Sequence, residues 1–215
     1  MSEITLEGML PRVFVAESIP FSDVWKSTLS LRKGNLYLIE AASGGGKSSL
    51  CSYIYGARTD YEGRLLFDGE DAAGIKIDRW QLLRRESLAY LPQELSLFPE
   101  LTAMQNIELK NSLTGFAEKG RIEEWLHILG IDSRRDYPVG RMSVGQQQRV
   151  GLIRAICQPF DFILLDEPVS HLDEENNRKA ARMIVEEATR QGAAIISTSV
   201  GNPLLMEGEV IKLKL

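Results

Sequence analysis

Residues 36–49 read L-Y-L-I-E-A-A-S-G-G-G-K-S-S. The apolar run Leu36–Glu40, a glycine-rich stretch and a helical pattern from Lys47 give the order strand, phosphate loop, helix. Consecutive glycines at 44, 45 and 46 let the backbone turn its N–H groups towards an anion. Lys47 brings a charge to the β- and γ-phosphates of a nucleotide, and Ser48 can ligate Mg²⁺. The start of the helix adds its positive dipole end. Ser43, Gly44, Gly45, Gly46, Lys47, Ser48 and Ser49 are therefore candidate nucleotide-binding residues. The bland reading, a turn with an incidental lysine, is disfavoured by the strand in front of it. Ala41 stands where the pattern G-x-x-x-x-G-K-[ST] begins with glycine, a residue used where φ is positive or backbone passes closely, so the loop geometry is in question there.

Outward from this stretch, F-I-L-L-D-E-P at 162–168 ends a buried strand with two acids. Asp166 can hold Mg²⁺ through water, and Glu167 can act as general base on an attacking water; its bland reading is a solvated strand-end acid. Phe162–Leu165 and Ala193–Thr198 are apolar runs, each preceded by a helical pattern, which implies a mainly parallel sheet and an α/β fold. Arg64–Phe67 followed by Asp68-Gly69 reads as a strand ending in a turn, part of a small antiparallel sheet. Residues 94–142 are mostly helical in pattern, with Ile122, Trp125, Leu126 and Leu129 at helix spacing, and define a helical subdomain. Glu209–Leu213 is a closing strand. No repeat or Pro/Gly-rich linker divides the chain, so residues 1–215 are expected to form one domain with small excursions.

Composition narrows the partners. A hydrophobic fraction of 44% over 215 residues supplies a core without staples. Cys51 and Cys157 sit in apolar surroundings without metal-ligand spacing, which predicts reduced core thiols in a cytoplasmic protein. A net charge of −5 argues against broad capture of nucleic acid. Met1–Gly8 lacks the pattern of a signal peptide, no apolar segment is long enough to span a bilayer, and no lipidation motif is present, so any membrane role is expected to come through a partner.

R-M-S-V-G-Q-Q-Q-R at 141–149, S-H-L-D at 170–173 and the two motifs above occur in the order of the ABC (ATP-binding-cassette) ATPases, a family that this sequence resembles over nearly its whole length, from L-S-L-R-K-G-N at 29–35 to G-E-V-I-K-L at 208–213. The resemblance implies a RecA-like P-loop core with a small antiparallel β-subdomain and an α-helical subdomain that meets membrane subunits. ATP and Mg²⁺ are the implied ligands. Gln93 in Y-L-P-Q resembles the glutamine that reaches the metal and the attacking water, and L-F-P-E-L-T-A-M-Q-N-I at 97–107 also follows the family. Ser143, Val144 and Gly145 correspond to the signature loop, which contacts the γ-phosphate held by the opposite protomer of a homodimer. Ser170–Asp173 resembles the loop that crosses the dimer interface. Phe14 is the candidate for stacking on adenine, with ordinary core packing as the other reading.

Several positions depart from the family. Val144 stands where glycine is usual; its N–H survives, but the β-branch narrows the backbone. His171 replaces a small residue and is read as a surface or packing group. In I-I-S-T-S-V at 195–200, Ser199 takes the place of the histidine that contacts the γ-phosphate, which implies slow hydrolysis or compensation by another group. The resemblance implies a separate cytoplasmic ATPase subunit, peripheral on the inner face of the membrane, hydrolysing ATP to drive polytopic membrane subunits. Q-Q-Q-R and L-F-P-E-L-T most resemble the lipoprotein-releasing, macrolide-export and cell-division branch. Two rivals stand beside this: a regulatory, slowly hydrolysing nucleotide-binding module, and a soluble ABC ATPase outside transport, against which the compact length and acidic balance speak.

Overall fold

A computed structural model of the chain describes residues 1–16 and 21–215. In chain order its elements are β1 (Glu3–Pro11), β2 (Thr28–Arg32), β3 (Leu36–Glu40), α1 (Lys47–Ile54), β4 (Tyr61–Phe67), β5 (Glu70–Asp71), α2 (Ile77–Glu86), β6 (Leu88–Leu91), α3 (Ala103–Asn111), α4 (Lys119–Ile128), α5 (Val144–Ile156), β7 (Phe162–Leu165), α6 (Glu174–Gln191), β8 (Ala194–Ser199) and β9 (Val210–Lys214), with short 3₁₀ turns between them.

The expected α/β class holds. Strands β2-β1-β4-β5 form a small antiparallel sheet, and β6-β7-β8-β3-β9 form a parallel one. β1 alternates: Ile4 and Leu6 are buried and pair with Phe67 and Leu65 of β4. Its register then slips beside Gly63, where a Cβ would lie 2.5 Å from the Glu7 carbonyl oxygen, so only glycine fits this bulge.

The parallel strands are buried on both faces and therefore read as continuous apolar runs. Phe162, Leu164, Ala194, Ile196, Tyr37 and Ile39 pack with α1 and the antiparallel sheet, whereas Ile163, Leu165 and Ile195 pack with α3–α6. Ile122, Trp125, Leu126 and Leu129 all lie in that second cluster, as their spacing predicts. Thr102 and Gln105 close a capping box at the start of α3, and Ser143 and Gln146 another at the start of α5. Among the described residues no helix is long and apolar enough to cross a membrane.

The strand order places β8 between β7 and β3. The carboxyl ends of these three strands thus bring together Asp166 and Glu167, Thr198 and Ser199, and the glycine-rich loop after Glu40.

Candidate nucleotide-binding site

The loop between β3 and α1 depends on its glycines for two separate reasons. Gly44 and Gly46 have φ of 81° and 93°, in the left-handed region. A Cβ on Gly46 would also stand 3.1 Å from both Phe14 and Trp25 ring carbons. A Cβ on Gly45 would crowd the Ala41 methyl at 3.0 Å and the Ala42 carbonyl oxygen at 3.2 Å. Ala41 is not among the residues with positive φ, so its methyl adds no backbone strain. Phe14 is half-buried against this turn, in the cluster that contains Trp25. Trp25, which sequence patterns do not single out, is 4% exposed and donates its indole N–H to the Gly45 carbonyl at 3.2 Å.

Ser43, Gly44, Gly46, Lys47, Ser48, Ser49, Gln93 and Glu167 line one cleft of about 230 Å³. Lys47 is 4% exposed; its Nζ donates to the carbonyl oxygens of Ala41 and Ala42 at 3.2 and 3.0 Å and lies 3.7 Å from Glu167 Oε1. Ser48 Oγ donates to Gln93 Oε1 at 3.5 Å, so two residues 45 apart in sequence meet where the motif reading expects a cation. Asp166 is 1% exposed and accepts from Thr198 Oγ1 at 2.8 Å; the same oxygen accepts from the Glu167 N–H at 3.2 Å. Asp166 also lines a second cavity, of about 530 Å³, with Ser48 and Gln93. Glu167 holds φ of 49°, an unfavourable value for a residue with a side chain, and its carboxylate is partly exposed to the cleft. Burial and the nearby Asp166 push the Cys51 thiol well up, and burial first of all pushes Cys157 up to about 12, so both cysteines are neutral, free thiols.

The signature residues lie elsewhere. Ser143 caps α5, accepting from Gln146 N–H at 3.3 Å, and Val144 is the first, half-exposed residue of that helix. A Cβ on Gly145 would lie 2.9 Å from the His171 carbonyl oxygen, so the start of α5 and the loop after β7 pack backbone to backbone. Ser143, Val144 and Gly145 do not line the Lys47 cleft. Gln148, a residue sequence reading passes over, is 3% exposed; its Nε2 donates to the Glu167 carbonyl and to Ser170 Oγ at 3.2 Å each, and its Oε1 accepts from the His171 N–H at 3.0 Å. Its signal was a third glutamine on the buried face of α5. Ser199 is 1% exposed, pairs with Glu40 across β8 and β3, and does not line the Lys47 cleft. Its hydroxyl has no hydrogen-bond partner among the described residues, and it lines a neighbouring cavity with Glu40, Ala41, Ala42 and Val200.

Among the described residues no cluster of three or more His, Cys, Asp or Glu side chains could hold a metal ion by itself. The oxygen donors of Ser48, Gln93 and Asp166 nonetheless fit a hard cation such as Mg²⁺ that takes most of its ligands from phosphates and water.

Phosphate-binding chemistry at the carboxyl ends of adjacent parallel strands defines the class, a P-loop nucleotide-binding α/β protein. The family is narrower: residues 25–170 match the family model described as ABC transporter, and the chain belongs to that family as an ABC ATPase cassette, its ATP-binding part. It is 33% identical over 171 residues to the macrolide export ATP-binding/permease protein MacB of Shewanella sp. (strain ANA-3), covering 78% of this chain and 26% of that one. The chain thus spans about a quarter of the length of the macrolide-export relatives it matches. It is 30% identical over 172 residues to the ABC transporter ATP-binding protein YtrE of Bacillus subtilis (strain 168), covering 79% of this chain and 74% of the other. The solved dimeric structure of MJ0796, a bacterial ABC transporter cassette, shares the fold, with a TM-score of 0.79 and 24% identity over 98% of this chain and 94% of the other.

Proposed function

We infer that the chain binds MgATP in the Lys47 cleft, hydrolyses it as a head-to-tail homodimer, and powers polytopic membrane subunits as a separate ATPase subunit on the inner face of the membrane. The observation that carries this reading is the convergence of Lys47, Ser48, Gln93 and Glu167 on one cleft, with Lys47 and Glu167 3.7 Å apart. Lys47 exchanges its bonds to the Ala41 and Ala42 carbonyls for phosphate oxygens, and the loop N–H groups from Ser43 onward cradle the same phosphates. Glu167 accepts the proton of the attacking water, and Gln93 orients that water. Ser48, Gln93 and Asp166 are the residues that would hold Mg²⁺, which would offset phosphate charge when bound.

The full chain, 1–215, acts as one domain. The segment 94–142 and the cavity lined by Gln93, Glu94, Leu95, Lys110 and Arg154 face the membrane subunits. The match to YtrE over most of its length supports a separate ATPase subunit, and the MacB matches support the macrolide-export member of the lipoprotein-releasing, macrolide-export and cell-division branch. Ser143, Val144 and Gly145 complete the cleft of a second copy, in keeping with the dimeric relative. Ser199 supports the slow-turnover reading for one copy alone, since its hydroxyl lies outside the cleft. Titration of Lys47→Ala with MgATP tests the site. A charge-assisted bond is worth about 1.5–3 kcal/mol, so affinity should fall at least about tenfold; unchanged affinity means that the phosphates bind elsewhere.

A further inference from the structure

The Lys47 cleft is short of donors for a transferring phosphoryl group. Among the described residues that line it, Lys47 is the only cation, and Glu167 sits 3.7 Å from its ammonium. Arg58 donates to Ser49 Oγ at 3.0 Å, but Asp60 grips the same guanidinium at 2.9 and 2.5 Å. Ser199 borders the neighbouring cavity instead, with its hydroxyl buried. Phosphoryl transfer spreads charge over three equatorial oxygens, and donors aimed at them are the main source of rate. A further donor has to come from outside the cleft.

The chain has two histidines. His127 lies on α4, 4.0 Å from Asp132 and far along the sequence from any site motif. His171 is exposed on the loop that packs against Gly145, so the surface that presents Ser143 also presents this imidazole. Its backbone is held by Gln148, and its Nδ1 lies 3.0 Å from Ser170 Oγ. Ser170 Oγ receives a hydrogen bond from Gln148 Nε2, and with His171 in its Nε2–H tautomer the Ser170 hydroxyl donates to Nδ1. A neutral imidazole that accepts at Nδ1 carries its N–H at Nε2, the outer nitrogen.

We propose that His171 of one copy enters the nucleotide cleft of the second copy and donates its Nε2–H to the γ-phosphoryl oxygens, supplying the contact that Ser199 does not make. This rests on the head-to-tail dimer of the proposed function. The backbone contact between Gly145 and His171 means that the copy which delivers Ser143 delivers the histidine with it. In hydrolysis the water oxygen bonds to the γ-phosphorus, the bond from that phosphorus to the bridging oxygen breaks with its electron pair leaving on ADP, and the water proton passes to Glu167. His171 keeps its proton throughout.

The test uses the full chain. His171→Ala should lower phosphate release by about 10²–10³-fold at saturating MgATP, the usual effect of removing one such donor, and His171→Gln, which keeps an N–H donor, should retain much of the rate. Mixing His171→Ala with the inactive Lys47→Ala should restore turnover well above the sum of the two, because the mixed dimer contains one cleft with Lys47 from one chain and His171 from the other. As a readout without turnover, adding His171→Ala to Glu167→Gln should weaken the ATP-dependent dimer about tenfold by light scattering. A mixture that yields only the sum, a dimer indifferent to His171, or glutamine as poor as alanine overturns the proposal alone. If Glu167→Gln forms no ATP-dependent dimer, the head-to-tail dimer falls and this proposal falls with it.

Discussion

Replacing Gln148 with leucine tests whether α5 holds the Glu167 turn in place. The side chain is 3% exposed, and leucine fills much the same space without its three hydrogen bonds to the Glu167 carbonyl, Ser170 Oγ and the His171 N–H. At about 1 kcal/mol net for each bond the ceiling is near ~3 kcal/mol. Ser170 and His171 are exposed, so water replaces their share. The Glu167 carbonyl remains as the main loss, and about 1–2 kcal/mol is expected. For a chain of this size that lowers the melting midpoint by about 2–8 °C. The kinetic effect should be larger in kind. Glu167 is held at φ of 49°, a conformation that costs of order 1–3 kcal/mol and relaxes when its restraints go. Displacing the carboxylate should reduce kcat about tenfold, or ~1.4 kcal/mol, with MgATP affinity unchanged because Lys47 and the glycine loop are untouched. Thermal unfolding, MgATP titration and phosphate release well below the midpoint measure the three quantities. A folded variant that melts lower but hydrolyses ATP at the wild-type rate would mean that α5 does not hold the Glu167 turn.

Thr198→Val keeps the shape of β8 but removes the hydroxyl that donates to Asp166 at 2.8 Å and accepts from Glu167 N–H at 3.2 Å; urea unfolding should show a loss of about 2–3 kcal/mol, with weaker MgATP binding. Asp161 gives a pH dependence of known sign. Burial pushes its carboxyl up, but hydrogen bonds from Lys33, the N-terminal ammonium and Ser87 outweigh this and hold it below the ordinary value. Its stabilisation is therefore full above the ordinary carboxylate pKa of about 3.9 and is lost as pH falls through the lower folded value. Asp161→Asn should be less stable than wild type at neutral pH, with the gap closing only below about pH 4.

How much of this is readable from sequence follows from where each residue finds its partners. β7 is legible to the residue because Phe162–Leu165 is buried on both faces and bounded by acids. β4 begins at Tyr61, four residues before its apolar part, since Glu62, Gly63 and Arg64 are exposed and this stretch is held to β1 by backbone pairing and by the Arg64–Glu7 ion pair. β1 hides behind its bulge: the alternation of Ile4 and Leu6 breaks at Gly8 and resumes as consecutive buried residues. β6 is only four residues long and acquires its meaning from pairing with β7.

The phosphate loop and the carboxylates are local patterns, so they can be read in line. Trp25 against the Gly45 carbonyl, Thr198 between Asp166 and Glu167, and Gln148 beneath the Glu167 turn act only through tertiary contacts, which no linear motif encodes. Ala41 looks like a defect in the motif, yet its backbone has no positive φ for a methyl to oppose. Ser199 illustrates the reverse: its place in the motif suggests a role at the phosphates, whereas its hydroxyl is buried beside a neighbouring cavity and does not line the Lys47 cleft.

If ATP is hydrolysed between Lys47 and Glu167, 3.7 Å apart across one cleft, the Glu167 carboxylate is indispensable. Glu167→Gln keeps the size of the side chain but cannot take up the water's proton. With MgATP at saturation, the measurement is phosphate release by wild type and variant alongside ATP retained on the protein. Release should be abolished and ATP retained by the variant; wild-type release from Glu167→Gln would exclude Glu167 as the base.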